Sequence, residues 1–198
     1  MDRDQQFIQL CRELIRRPST SGQEEAAAKY LESVMASCGF DAVTVDRYGS
    51  VLGRITGKRP GRTVLLDGHI DTVPVDDPGR WTHDPFGAEI ADGKIYGRGA
   101  SDMKGSVAAM VTAAARFAED TGRDFAGSIY VSCTVHEECF EGIAAQEIAQ
   151  AVRPDMVIVG EATSTTLKIG QRGRAEVVVE TEGQSCHSSN PEKGVNAV

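Results

Sequence analysis

Four short segments of this sequence carry side chains that could bind a metal ion and activate water. The first is Gly68–Asp71, which directly follows the apolar run Val64–Leu66. A histidine at the end of a strand, with a carboxylate two residues later, is typical of a metal ligand and its orienting partner. The Asp71 carboxylate would accept the N–H of the His69 ring that does not face the metal. A surface turn is the simpler interpretation of this pattern when it stands alone.

The second segment is a glycine-rich turn, Gly97–Gly105, which holds Asp102 just before an Ala-rich apolar stretch. Glycines free the backbone for a tight turn, from which the Asp102 carboxylate would project. The spacing of a phosphate-binding loop, GxxxxGK[ST], does not occur here. An ordinary turn with an aspartate near a helix N-terminus is the alternative interpretation.

The third and fourth segments are acidic and each follows a predicted strand. Glu137 and Glu138 come after the apolar stretch Ser128–Val135, and Glu161 comes after Met156–Val159. Adjacent carboxylates at a strand end project in different directions, so one could bind a metal while its neighbour moves a proton. A solvated acidic turn is the alternative for the Glu137-Glu138 pair.

Ligands placed at the carboxyl ends of several strands converge where an open α/β sheet builds its active site. One histidine with several carboxylates, and no cysteine among them, suits Zn²⁺, Co²⁺ or Mn²⁺ in a nitrogen and oxygen site. The conjunction of the four segments is far less expected by chance than any one of them.

The periodicity of apolar residues predicts the elements that position these groups. One helix runs from Phe7 to Ile15, and a second starts at Ser21, with Ser21 and Glu24 as a capping box, and runs to Gly39. Further helices and strands are predicted over Phe40–Val45, Val51–Ile55, Thr63–Leu66, Lys104–Phe117, Ser128–Val135, Ile143–Val152 and Met156–Val159. This alternation predicts an α/β fold with a mixed, mostly parallel sheet flanked by helices.

The pattern of residues along the sequence changes near Gly170. We expect a catalytic metal-binding domain over residues 1–170 and the start of a smaller α+β domain over residues 171–198, with a strand at Ala175–Thr181. The segment Pro191–Val198 looks like the opening of a helix without a closing signal, so we expect the chain to be cut there.

Composition excludes several classes of protein. The chain has 198 residues, a net charge of -8 and no basic stripe, so a nucleic-acid partner is not expected. No apolar stretch approaches the ~20 residues of a membrane span, and the polar N-terminus is unlike a signal peptide. The five scattered cysteines form no CxxC pair, which favours a reducing cytoplasm.

The order of these motifs resembles the M20 family of metallopeptidases and deacylases. The motifs are Gly68–Pro74, Gly97–Gly105, Glu137-Glu138 and Gly160-Glu161, so the resemblance spans nearly the whole chain. The family includes acetylornithine deacetylase, succinyl-diaminopimelate desuccinylase and carboxypeptidase G2. Through Gln171–Arg174 and Cys186-His187, the chain is most similar to a branch described as selenium-metabolism hydrolases.

The resemblance implies a pair of zinc ions and a role for each site residue. His69 and Glu161 would hold one metal and Glu138 the other, with Asp102 bridging both. Glu137 would be the general acid and base, and Asp71 the partner of His69. In a lid or dimerisation domain that begins at Gln171, His187 would bind the substrate carbonyl. The implied reaction is amide hydrolysis of a small N-acyl amino acid by a cytoplasmic homodimer.

Two alternatives remain open at this stage. The protein could be a dipeptidase or exopeptidase of the same family, since the motifs are shared. It could instead be a non-catalytic metal-binding fragment, because the resemblance implies one more ligand histidine, from later sequence that this chain lacks. We read His83 and His136 as non-ligands, and we expect the chain as given to be inactive.

Overall fold

The computed structural model of the protein describes residues 3–140, 142–173, 175 and 177–198. These residues form two compact units, the first reaching to Ser164 and the second running from Thr165 to Val198. Every predicted metal-site residue lies in the first unit, whereas His187 lies in the second.

The first unit is built on a five-stranded sheet with a separate two-stranded hairpin. The strands are β1 (Ala42–Val45), β2 (Val51–Thr56), β3 (Arg59–His69), β4 (Glu89–Ala91), β5 (Lys94–Tyr96), β6 (Ala126–Thr134) and β7 (Met156–Val159). The main sheet has the order β1-β2-β6-β3-β7, and β4 pairs with β5. Strand β3 runs parallel to both β6 and β7, while β1, β2 and β6 are joined by antiparallel pairings. The predicted α/β class with a mixed sheet is confirmed.

Helices pack against this sheet. They are α1 (Arg3–Ile15), α2 (Glu25–Ser37), α3 (Gly105–Asp120), α4 (Glu137–Phe140) and α5 (Ile143–Val152). Helix α2 contacts β1 and β2, α3 contacts β2, β3 and β6, α5 contacts β6, and α1 packs on α3. Among the helices of the described residues, none has the length and apolarity to cross a bilayer.

Two glycines let helices approach the sheet closely. A Cβ on Gly53 would lie 2.7 Å from the Met35 sulfur, and one on Gly68 would lie 2.7 Å from the Met110 Cε. The side chains between the layers, such as Leu31 and Val107, are fully buried. Each such side chain contributes ~1.5–3 kcal/mol through removal of apolar surface from water.

The capping box predicted at Ser21 is wrong. Helix α2 begins at Glu25, and Glu24 makes no side-chain cap. The Ser21 hydroxyl instead donates to Oδ2 of Asp71, 2.7 Å away, and the Glu24 side chain is buried. Both side chains reach the loops at the end of the sheet, where Ser21 meets Asp71 and Glu24 meets His136.

The second unit departs from the predicted strand at Ala175–Thr181. The described residues of that stretch form no strand and are exposed, while Glu176 lies outside the described residues. Alternation of β-branched residues indicates a strand only where a neighbouring strand pairs with it. Pro191–Lys193 is a single short 3₁₀ turn, after which Val195 pairs with Gln184.

Candidate metal centre

The parallel strands bring the predicted ligands to one edge of the sheet. His69 is the last residue of β3, Glu137 and Glu138 follow the end of β6, and Glu161 follows the end of β7. Because β3, β6 and β7 run in the same direction, their carboxyl ends lie side by side. Residues that are far apart in sequence are thereby placed around one point.

His69 is the buried centre of this cluster, with only 2% of its surface exposed. Its Nδ1 lies 2.9 Å from the backbone carbonyl oxygen of Asp71 and 3.5 Å from the Asp71 carboxylate. The carbonyl oxygen is therefore the nearer acceptor, and the predicted carboxylate is the more distant partner of the same ring nitrogen. A carbonyl can only accept, so Nδ1 carries the proton and Nε2 is the nitrogen left for a metal.

Carboxylates surround that second ring nitrogen. From His69 Nε2 it is 2.9 Å to Asp102 Oδ1, 3.6 Å to Glu161 Oε2 and 3.9 Å to Glu137 Oε2. The ligand atoms of His69, Asp102 and Glu138 all lie within 4.8 Å of one another. The structure thus brings together the five side chains predicted for metal binding and proton transfer.

The turn that carries Asp102 is anchored by the buried side chain of Lys104. Gly99 starts the turn with φ +78°, and the Asp102–Met103 peptide bond is cis. The Lys104 side chain is buried, and its Nζ donates to the carbonyl oxygens of Leu14 at 3.0 Å and Arg17 at 2.9 Å. The ammonium group therefore holds the Asp102 turn against the C-terminal end of α1, the end of a helix that favours a cation.

The Asp71 carboxylate is a fully buried acceptor for three donors. It accepts the Ser21 hydroxyl at 2.7 Å and the backbone N–H groups of Glu137 and Glu138, both at 3.1 Å. Burial alone would raise the pKa of Asp71, but its interaction with His69 and these hydrogen bonds outweigh burial and lower the pKa. Asp71 is therefore an ionised group that joins the β3 loop to the start of α4.

The cluster carries an excess of negative charge. Burial raises the pKa of Glu137 and of Glu138, and neighbouring carboxylates raise both further. Burial lowers the pKa of His69, yet Asp71 and then Glu137 outweigh it and bring the value to about 9. The raised pKa values show that these groups favour added positive charge, and a divalent cation would supply it. One imidazole with several carboxylates is a donor set that suits zinc, cobalt or manganese.

The other three histidines contact residues that do not belong to this cluster. His83 contacts Glu89 at 3.0 Å and stacks on Tyr96. His136 has its Nδ1 3.4 Å from Glu24. His187 belongs to the second unit, where its Nδ1 lies 2.8 Å from the Ser189 hydroxyl. Its predicted role toward substrate stays a prediction.

Sequence reasoning missed the part played by Ser21, Glu24 and Lys104 in supporting the site. Ser21 and Glu24 have the spacing of a capping box, and Lys104 looks like an ordinary residue at a helix start. A buried ionisable residue beside a ligand turn is a signal only once burial is known. These three side chains acquire their partners through tertiary contacts.

Comparison with known proteins identifies the family to which the chain belongs. Residues 65–197 match Peptidase family M20/M25/M40. Succinyl-diaminopimelate desuccinylase 2 of Ruegeria sp. (strain TM1040) is 39% identical over 201 residues, which cover 96% of this chain and 50% of that protein. An M20 family metallo-carboxypeptidase from Sulfolobus solfataricus shares the fold, with a TM-score of 0.68 and 24% identity over 81% of this chain and 37% of that one.

A dinuclear metal binding peptidase of the M20 family from Bacillus subtilis also shares the fold. Its TM-score is 0.56, with 18% identity over 75% of this chain and 39% of that chain. The fold and the site thus define an M20-type α/β domain with a metal-ligand cluster at its sheet edge. The chain belongs to Peptidase family M20/M25/M40, and it spans about half the length of the curated relatives it matches.

Proposed function

We propose that this chain carries the catalytic metal centre of a hydrolase that cleaves the amide bond of a small N-acyl amino acid. The observation that carries the proposal is the convergence of His69, Asp102 and Glu138 within 4.8 Å, with Glu137 beside them. The similarity to a succinyl-diaminopimelate desuccinylase at 39% identity supports an N-acyl amino acid as the substrate class.

The residues divide into ligands and a proton carrier. His69 and Glu161 would hold one divalent ion, Glu138 would hold a second, and Asp102 would bridge both. Asp71 would keep the His69 ring oriented by accepting from Nδ1 through its carbonyl oxygen, 2.9 Å away. Zinc is the proposed metal because the set combines one imidazole with carboxylates, and cobalt or manganese would suit the same donors.

A divalent ion bound here would polarise the scissile carbonyl and lower the pKa of water to ~7. Glu137 would take the proton from the attacking water and deliver it to the nitrogen of the leaving amine. Burial and neighbouring carboxylates raise the pKa of Glu137, and a raised pKa helps a general base to act as the acid afterwards. His187 would donate a hydrogen bond to the oxygen that gains negative charge.

The proposal also covers the substrate, the compartment and the pairing of two copies. The substrate would be a small molecule, the protein would work in the cytoplasm, and residues 171–198 would begin a domain through which two copies pair. A dipeptidase is the second candidate, favoured by the match to a family described as peptidases. Both candidates use the same cluster and differ only in the acyl group they accept.

A substrate panel on the full-length protein tests the proposal. The chelator-treated protein is assayed with N-succinyl and N-acetyl amino acids and with dipeptides, before and after addition of Zn²⁺, Co²⁺ or Mn²⁺. We expect metal-dependent release of the free amino acid from the N-acyl substrates. Faster turnover of dipeptides would favour the second candidate, and no metal-dependent turnover of either class would overturn the proposed function.

A further inference from the structure

The segment Ser19–Glu24 runs beside both loops that carry the metal centre and contacts each of them. The Ser19 hydroxyl donates to the carbonyl oxygen of Ile70 at 2.6 Å, and the Thr72 N–H donates to the Ser19 carbonyl oxygen at 2.9 Å. Ser21 donates to the Asp71 carboxylate. These three contacts hold the loop that follows His69.

Glu24 reaches the other loop. Its Oε1 accepts the backbone N–H of His136 at 3.2 Å, and the Nδ1 of the same histidine lies 3.4 Å from that oxygen. The Glu24 side chain is only 6% exposed, although it carries a carboxylate. A carboxylate is buried at this depth only where it has defined partners.

His136 is the residue whose backbone sets the direction of the next two side chains. Its φ is +63°, in the left-handed region that a non-glycine residue keeps only when its surroundings impose it. Glu137 and Glu138 follow immediately. Any relaxation of His136 would therefore rotate both carboxylates away from His69 and Asp102.

We propose that Glu24 is a positioning residue, which fixes His136 and thereby aims Glu137 and Glu138 into the metal centre. The proposal rests on the proposed function for its catalytic meaning. Asp71 holds the same turn from the opposite side, through the N–H groups of Glu137 and Glu138. Three consecutive backbone N–H groups, 136 to 138, are thus held by two buried carboxylates.

The deciding property of Glu24 is its acceptor oxygen and not its charge, since the contact that orients His136 is a hydrogen bond from the backbone. Glu24→Gln keeps a side-chain carbonyl at the same position, whereas Glu24→Met fills similar space without an acceptor. Glu25→Gln is the matched control, because Glu25 is the next residue, is exposed and pairs only with Lys29 among the described residues.

Amide hydrogen exchange of the full-length protein measures the placement directly. We expect Glu24→Met to speed exchange at His136, Glu137 and Glu138 by about tenfold or more, with the strands of the sheet unchanged. Glu24→Gln and Glu25→Gln should match the wild type. Glu24→Ala is measured beside Glu24→Met, so that poor packing of one replacement does not decide the result.

Titration with Zn²⁺ and steady-state kinetics give the functional readout. Removal of a side chain that supports a ligand costs ~10–100-fold in metal affinity or activity. We expect such a loss in zinc affinity and in kcat for Glu24→Met, with KM nearly unchanged because Glu24 does not touch the substrate. Glu24→Gln should restore both within about threefold, since the acceptor is retained.

Two results would overturn the positioning role. One is unchanged exchange at residues 136–138 in both acceptor-free variants, and the other is a uniform rise in exchange across the whole sheet, which would show a purely structural role. A wild-type protein that binds none of Zn²⁺, Co²⁺ and Mn²⁺ would overturn the proposed function instead. In that case the exchange rates would still decide whether Glu24 fixes His136.

Discussion

Asp71 Oδ2 accepts the backbone N–H of Glu138 at 3.1 Å, so a residue that follows β3 fixes the position of a proposed ligand that follows β6. The other carboxylate oxygen accepts the N–H of Glu137 at the same distance. Through its carbonyl oxygen, Asp71 also orients His69. One buried side chain and its backbone therefore couple the imidazole and the acidic turn into a single unit.

This coupling predicts that Asp71→Asn impairs both halves of the centre. The amide offers one acceptor oxygen where the carboxylate offers two, and its NH₂ group would face a backbone N–H. We expect a ~10–100-fold loss of zinc affinity together with a similar loss of kcat. Isothermal titration with Zn²⁺ and turnover of the preferred substrate would measure the two effects. An Asp71→Asn protein with wild-type affinity would contradict the coupling.

Glu137 and Glu138 are neighbours with different proposed roles, and a pair of isosteric variants separates them. We expect Glu137→Gln to keep its metal and lose ~10²–10⁴-fold in kcat, because general acid–base catalysis is removed. Glu138→Gln should lose metal affinity first. Metal content by atomic absorption, combined with kinetics at saturating zinc, distinguishes the two. The reverse pattern would mean that the roles are exchanged.

Buried Lys104 makes a contribution to stability that rises with pH. Burial lowers the pKa of Lys104 to about 8, against 10.5 for an unburied lysine, although nearby Cys11 and Asp71 partly oppose this shift. Above about pH 8 the folded protein loses this proton while the unfolded chain keeps it, so the Lys104 contribution to the free energy of unfolding increases. Below about pH 8 both states are protonated and this contribution is constant.

Urea unfolding of the wild type and of Lys104→Met at about pH 7 and about pH 9 isolates this contribution. His69, whose pKa is raised to about 9, contributes in the opposite direction over the same range in the metal-free protein, and Cys11 does so as the unfolded thiol titrates. Both groups remain in Lys104→Met, so the free energy of unfolding of the variant should change less favourably between the two pH values than that of the wild type. An equal change in the two proteins would contradict the role of Lys104.

Gly127, the second residue of β6, is expected to tolerate substitution poorly. Its φ is +90°, and a Cβ would lie 1.9 Å from the backbone oxygen of Arg62. We expect Gly127→Ala to cost more than ~3 kcal/mol, because backbone strain and a clash with backbone combine. Gly93, with φ +72° and no atom near its Cβ position, is the matched control. Gly93→Ala should cost ~1–2 kcal/mol in thermal or urea unfolding.

Much of the fold could be read from local patterns. Ile143–Val152 and Met156–Val159 have the predicted bounds, and the first helix ends at Ile15 as its periodicity indicates. At these places local helix or strand propensity was sufficient, even for β7, whose four residues are exposed. Ser21 does not act as a cap because its hydroxyl donates to the Asp71 carboxylate, and a hydrogen bond to a charged group contributes more than one between neutral groups.

The order of residue types along the chain was sufficient to predict the composition of the candidate site. A histidine and four acidic residues, each following a strand or turn, imply convergence once the strands are parallel. Their distances were beyond sequence reasoning, since the register of β3 with β6 and β7 places His69 against Thr134 and Asp67 against Val159. A shift of one residue would point each ligand to the opposite face of the sheet.

The sequence by itself determined which chemistry this protein can carry, because ligand types, their spacing and the apolar runs before them are all local properties. Only the tertiary structure decided how that chemistry is held. Asp71 uses its carbonyl for His69 and its carboxylate for the N–H groups of the acidic turn. Glu24, which precedes α2, accepts the N–H of His136. A buried polar group takes the partner that removes its desolvation cost, and the fold alone determines which partner lies within reach.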